Sequence, residues 1–111
     1  MATNTAISNN IIIQGTTPTH EFELDFSTDI CKEVRFVYSQ NDSVVVLKDD
    51  EEITRDGNKV SATLTQEDTY SFEPNVRISL VLRILTISDT AIASDVITLK
   101  CRGLADKEVL V

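Results

Sequence analysis

Residues 76–84 read Val-Arg-Ile-Ser-Leu-Val-Leu-Arg-Ile, and every second position from Val76 to Ile84 is apolar. Such a two-residue period is typical of a β-strand with one buried face. The same period recurs upstream, where Phe22, Leu24 and Phe26 alternate with acidic residues. It recurs again in residues 60–64, where Val, Ala and Leu alternate with Ser and Thr. Three strands with one apolar face each predict stacked sheets, and therefore an all-β sandwich or barrel.

The rest of the chain supplies further short strands separated by turns. The run Val44–Leu47 indicates either burial on both faces or a β-bulge. Thr65, followed by Glu67 and Asp68, predicts a cap for one short helical turn near residues 65–71. This pattern, with no long amphipathic helix, predicts about seven antiparallel strands in a sandwich or Greek-key barrel. We place seven strands near residues 11–13, 19–26, 34–39, 43–48, 59–64, 76–87 and 92–101, and residues 53–55 are a candidate for a further short strand.

A chain of 111 residues is expected to form one domain with a single core. Residues 1–10 are small and polar, which predicts a flexible N-terminal arm. The sandwich domain is expected over residues 11–103. Residues 104–111 form a tail whose apolar side chains, Leu104, Val109, Leu110 and Val111, are suited to pack against another surface.

The chain carries 18 acidic and 10 basic residues, for a formal net charge of −8. A polyanion repels the phosphate backbone and anionic lipid surfaces, so we expect neither nucleic-acid nor membrane binding. Cys31 and Cys101 follow no recognisable secretory signal, which favours free thiols. A bridge between two facing strands remains open at this stage.

Few residues have the spacing that chemistry requires. His20 is the single histidine and lies in phase with Phe22 and Leu24, which favours a structural role over a catalytic one. The acidic run Asp49–Glu52 is expected to be a solvated loop and not a calcium site. The three Cys and His residues lie far apart and the three glycines form no phosphate loop, so we predict no enzyme, metal or cofactor. The remaining catalytic alternative is a site completed between subunits around His20 or the acidic strand.

Three acidic side chains lie on one face of the second predicted strand: Glu21, Glu23 and Asp25. Like charges two residues apart on a strand are typical of a solvent face. The alternative is that they pair with a basic neighbouring subunit. The residues alone thus predict an architecture and leave the function open.

Several segments, in order, resemble a group of small phage and prophage proteins from Firmicutes. The similar segments are the short strand Ile11–Gln14, the turn Gly15-Thr16-Thr17-Pro18-Thr19-His20, the strand Phe22–Phe26, Asp56-Gly57-Asn58, Leu64–Thr69 and the return Ala91–Asp95. The resemblance covers residues 11–110. More distantly, the layout is similar to the N-terminal immunoglobulin-like domain of phage baseplate upper proteins, and residues 1–111 carry nothing similar to the receptor-binding domain of those proteins.

The resemblance implies an immunoglobulin-like β-sandwich that serves as a non-enzymatic structural or assembly protein of a virion, in the baseplate, tail or head. It implies docking to other virion proteins, as a homo-oligomer or in a larger assembly, with the bacterial cytoplasm as the site of assembly. The alternative is a module that binds carbohydrate or a host surface. The expected interaction residues are Ile11, Ile12, Ile13, Glu21, Glu23, Asp25, Leu104, Val109 and Leu110.

Overall fold

The computed structural model describes residues 10–111 and the backbone of residues 3–5, and these residues form two β-sheets. One α-helix, α1 (Gln66–Tyr70), and two 3-10 turns, Thr28–Ile30 and Asp50–Glu52, interrupt the strands. The strands are β1 (Thr3–Thr5), β2 (Ile11–Ile13), β3 (Thr19–Leu24), β4 (Cys31–Gln40), β5 (Ser43–Lys48), β6 (Ile53–Asp56), β7 (Lys59–Thr63), β8 (Ile78–Thr86), β9 (Ala91–Ala93) and β10 (Ile97–Arg102).

The first sheet has four strands in the order β1-β3-β7-β6. The second sheet has six, in the order β2-β10-β8-β4-β5, with β9 also paired to β8. The prediction of antiparallel strands is wrong for one pair, because β2 runs parallel to β10. These two strands come from opposite ends of the chain, so no tight hairpin dictates their relative direction.

The alternating residues of β8 are buried as predicted. Ile78, Leu80, Leu82 and Ile84 are each at most 3% exposed, and β8 lies between β10 and β4 in the larger sheet. The two sheets face each other across one core, in which the rings of Phe22 and Phe36 meet edge to face with centroids 5.2 Å apart. The prediction of an all-β sandwich is therefore confirmed.

Two predicted strands have different limits in the structure. The strand expected over residues 92–101 is divided into β9 and β10, because Ser94 leaves the ladder and bonds to Leu82 through its backbone N–H and its hydroxyl. In β5 the bulge prediction is confirmed, since the β4–β5 register shifts beside Ser39. Burial on both faces is wrong, because Val44 is 60% exposed.

Helix α1 begins at the predicted cap. The Thr65 hydroxyl accepts a hydrogen bond from the Asp68 backbone, and the Asp68 carboxylate accepts one from the Thr65 backbone. Such a reciprocal cap satisfies two donors at the start of a helix. The turn after α1 places Phe72 in the core against Tyr38, with ring centroids 5.9 Å apart.

The predicted N-terminal arm and C-terminal tail differ in their secondary structure. Thr3–Thr5, within the predicted flexible arm of residues 1–10, pairs with β3, whereas residues 1, 2 and 6–9 lie outside the described residues. The tail over residues 104–111 has no regular secondary structure, and side chains from the body of the domain hold its backbone.

Candidate functional site

The structure separates the predicted interaction residues into three places. Ile11–Ile13 lie in the larger sheet, the acidic set lies on the smaller sheet, and the tail lies beside α1. Ile12 is fully buried and pairs with Cys101, so its side chain belongs to the core, while β2 is an edge strand of the larger sheet. Side chains alternate between the two faces of a strand, and in the three-residue strand β2 the middle residue, Ile12, faces the core.

The acidic set lies on the outer surface of the smaller sheet. Glu21 and Glu23 alternate with the buried Phe22 and Leu24, and Asp25 follows as an exposed residue. Among the described residues, none of these three carboxylates takes part in an ion pair. We call this surface the acidic face.

The tail is held by two polar side chains of α1. Gln66 donates to the Leu110 carbonyl (2.9 Å) and accepts from the Leu110 backbone N–H (2.8 Å). The Tyr70 hydroxyl donates to the Asp106 carbonyl (2.9 Å). These bonds fix the backbone of the tail and leave its apolar side chains outside, with Leu110 72% exposed.

Gln14 and Gly15 connect the tail to the end of β2. The buried Gln14 side chain accepts hydrogen bonds from the Leu104 backbone (3.2 Å) and from Lys107, and donates to the Phe72 carbonyl (2.9 Å). Gly15 has a φ of +81°, and a Cβ there would lie 2.6 Å from the Tyr70 hydroxyl. A glycine is required on both grounds. The structure thus brings the end of β2 and the tail together, although it keeps the acidic face apart from both.

The His20 side chain lies in the core, where it forms a hydrogen bond. Its Nδ1 lies 2.6 Å from the Tyr38 hydroxyl, and the side chain is 3% exposed. Burial lowers the pKa of His20 to about 4 and raises that of Tyr38, so both groups are neutral near pH 7. Three depressions of the described surface are lined by other residues and not by His20 or Tyr38.

Lys48 is a second buried ionisable group, and sequence reasoning missed it. Its Nζ lies 2.7 Å from Asp68 and 3.1 Å from Glu52, and the residue is 5% exposed. Burial lowers the pKa of Lys48, but the hydrogen bonds and charges of Asp68 and Glu52 outweigh it, so the pKa is raised. The ammonium group therefore holds β5, the 3-10 turn Asp50–Glu52 and α1 together.

Sequence reasoning also missed a pair of arginines on the outer surface of the larger sheet. Arg35 on β4 and Arg83 on β8 are directly opposite in the register. Arg35 lies 3.0 Å from Glu33, and its Nε is buried without a hydrogen-bond partner. Arg83 takes part in no ion pair among the described residues. The sequence shows Arg83 between buried neighbours, but the residue opposite it depends on strand pairing.

Two depressions lie on this outer surface. One, of about 310 Å³, is lined by Arg35, Arg83 and the β9 segment. The other, of about 490 Å³, is lined by Arg77, Lys100 and Arg102. Five of the ten basic residues of the chain therefore lie here, with Glu33 as the one acidic residue lining either depression. We call this surface the basic face.

None of the six aromatic residues, all within residues 10–111, is fully exposed. Phe22, Phe36, Tyr38 and Phe72 are buried, and Phe26 and Tyr70 are half-buried. A carbohydrate site usually presents an exposed ring for stacking against the sugar, and Tyr70 is the aromatic residue that lines one of the three surface depressions described.

The two cysteines are free and buried. Cys31 lies on β4 and Cys101 on β10, and β8 separates those strands in the same sheet. Two strand spacings of about 4.8 Å exceed the Cα separation that a disulfide spans. Burial raises the pKa of both thiols, which makes them poor nucleophiles.

Within residues 10–111, no cluster of three or more His, Cys, Asp or Glu residues is arranged to hold a metal ion. Nor does any helix of the described residues have the length and apolar character that spanning a membrane requires.

A comparison of the chain with models of protein families finds no match, and a comparison with curated proteins finds none either. The resemblance to phage proteins therefore stays a prediction.

Proposed function

We propose that this chain is a non-enzymatic structural or assembly protein of a phage or prophage particle, and that it acts by docking to other virion proteins. The observation that carries the proposal is the arrangement of the tail. A dense set of side-chain hydrogen bonds holds its backbone beside α1, while Val109 and Leu110 face outward.

An ordered backbone that presents apolar side chains is suited to binding, because the entropy of ordering the segment is already lost before the partner arrives. The remaining polar groups of the interior support the same function. His20 and Tyr38 bond to each other, Lys48 bonds to Asp68 and Glu52, and Gln14 bonds to Lys107 and to the backbones of Leu104 and Phe72.

The first experiment asks whether the chain is a particle component. Particles are purified from the bacterium that carries the gene and analysed by quantitative mass spectrometry. The proposal expects the chain at a fixed number of copies per particle. Particles of normal composition that lack the chain would contradict it, as would specific binding to a glycan array.

A pair of matched variants then tests the tail. We expect Leu110→Asp to lower the yield of complete particles at least about tenfold, since a charge in an apolar contact leaves it unpaired. Ile87→Asp is the control, because Ile87 is 67% exposed and lies at the end of β8, away from the tail. Equal yields from the two variants would show that the tail is not the contact.

A further inference from the structure

We infer that the basic face of the larger sheet binds the acidic face of a second copy of this chain, with Arg35 and Arg83 receiving its carboxylates. The inference rests on the proposed docking function and names the partner for one of its surfaces.

The first argument is that the arginine pair lowers the stability of the sheet within one copy. Like charges directly opposite on neighbouring strands destabilise a sheet. Arg35 and Arg83 hold that position, and Glu33 lies within ion-pair distance of Arg35 and not of Arg83. The buried Arg35 Nε adds a donor without an acceptor. A carboxylate supplied from outside would relieve the repulsion, because guanidinium groups bind carboxylates through two parallel hydrogen bonds.

The second argument is the composition of the surface around the pair. Next to the arginines, Leu47, Val37 and Val81 form one cross-strand row on the outer surface. Leu47 is 41% exposed, and Val37 and Val81 are half-buried. The second depression, with Arg77, Lys100 and Arg102, lies at the other edge. Exposed apolar side chains beside charged ones are the materials from which the core and the polar rim of a protein interface are made.

The third argument is that the partner bound on the basic face should carry negative charge. Half of the basic residues lie on this surface although the chain has a net charge of −8. Nucleic acid is disfavoured, because the rest of the molecule repels phosphates. Glu21, Glu23 and Asp25 on the other sheet are outward carboxylates without ion-pair partners among the described residues, at a spacing of about 6.6 Å along an extended chain. The acidic face of a second copy is therefore complementary to the basic face.

The two faces belong to opposite sheets of the sandwich, which fixes the kind of symmetry. A two-fold dimer through the basic face would place arginines against arginines. Docking of the acidic face on the basic face is head-to-tail and leaves one surface of each kind open. Such contacts continue into a ring or a stack of copies.

The experiment uses two complementary variants of the full chain. Arg83→Glu disables the basic face, and E21K/E23K disables the acidic face. We expect wild-type protein to form dimers or larger species by sedimentation velocity at low salt. These species should dissociate at about 1 M salt, where screening is nearly complete at contact distances. Each variant alone should be monomeric, with its self-association weakened at least about 30-fold.

An equimolar mixture of the two variants is the decisive sample. Each retains the face that the other has lost, so the mixture should give a 1:1 heterodimer and no larger species. Lys32→Glu is the control for the charge change, since Lys32 is exposed beside Asp89 and lines neither depression. It should assemble like the wild type.

Thermal unfolding distinguishes a docking role of Arg83 from a structural one. Arg83→Glu places opposite charges across β4 and β8, so the variant monomer should unfold at the same temperature as the wild type or higher. A folded Arg83→Gln variant gives an independent test and should also lose association. Lower stability of both variants with unchanged association would overturn the inference.

Other results also overturn it. These are a monomeric wild type at low salt, a mixture that stays monomeric, and wild-type binding to duplex DNA that Arg83→Glu abolishes. Failure here and failure of the proposed function are separable. A monomeric wild type that is nevertheless found in particles rejects this inference alone, and a self-associating chain absent from particles rejects the proposed function alone.

Discussion

The buried polar residues of this chain serve the fold, and His20 is the clearest case. Its hydrogen bond to Tyr38 joins the two sheets through side chains, because His20 is on β3 and Tyr38 is on β4. A neutral imidazole in this place satisfies the Tyr38 hydroxyl without bringing a charge into the core. The lowered pKa of His20, about 4, is the consequence of that burial.

We predict that His20 makes stability depend on pH. The folded pKa lies below the unfolded value of 6.5, so the unfolded chain binds more protons between about pH 6.5 and 4, and stability falls as pH falls through this range. The lowering of the His20 pKa from 6.5 to about 4 corresponds to about 3 kcal/mol in the free energy of unfolding. Urea unfolding of wild type and His20→Gln at pH 7, 5.5 and 4.5 measures it. The variant should lose less stability on acidification, and parallel curves for the two proteins would contradict the prediction.

At the level of the elements, the ion pair of Lys48 explains how a five-residue helix stays ordered. Helix α1 is too short to be stable by its own hydrogen bonds. Asp68 both caps the helix with Thr65 and receives the Lys48 ammonium group from β5. Burial raises the pKa of Asp68, but the hydrogen bonds from Lys48 and Thr65 outweigh it, so the pKa is lowered.

We predict a graded loss of stability around this contact. Thr65→Ala should lower the free energy of unfolding by about 1 kcal/mol, the usual value of a helix cap. Asp68→Ala should cost about 2 to 3 kcal/mol, because it also leaves a buried ammonium with one partner. Lys48→Met should cost less than Asp68→Ala, since it removes the buried charge itself. Chemical denaturation at pH 7 gives the three values, and equal losses from Thr65→Ala and Asp68→Ala would show that the ion pair contributes nothing.

Taken as a whole, the molecule has one core between two sheets whose outer surfaces differ in charge. Side chains alternate along β8, so the strand that fills the core with its apolar residues also carries Arg83 on the outer surface. The basic face therefore follows from the same alternation as the buried face. Cys31 and Cys101 enter that common core from two different strands and are each 5% exposed. They therefore report on whether the sandwich opens as a unit.

We predict that both cysteines react with iodoacetamide at the same slow rate in the folded protein. A single core unfolds cooperatively, so exposure of either thiol requires the whole domain to open. Timed labelling followed by peptide mass spectrometry measures each site separately, and denatured protein sets the maximum rate. Fast labelling of one cysteine would indicate local opening of its part of the sheet.

Much of the fold was predictable, because inward and outward positions alternate along each strand. The inward faces of β3, β4, β7 and β8 and the cap of α1 follow from that period and from one local motif. The candidate site was less predictable. The acidic face and the apolar tail are visible as patterns, but the burial of the Ile12 side chain is not, since a three-residue apolar run does not show which residue turns inward.

Local alternation therefore establishes which side chains each strand buries, and net charge establishes that the chain is a polyanion. Neither establishes which strands are neighbours. The opposition of Arg35 and Arg83, the parallel pairing of β2 with β10, the separation of the two cysteines and the contact of Lys48 with Asp68 arise when distant segments pair in one register. Register is set by the packing of both sheets at once, which is a property of the folded domain and not of any segment within it.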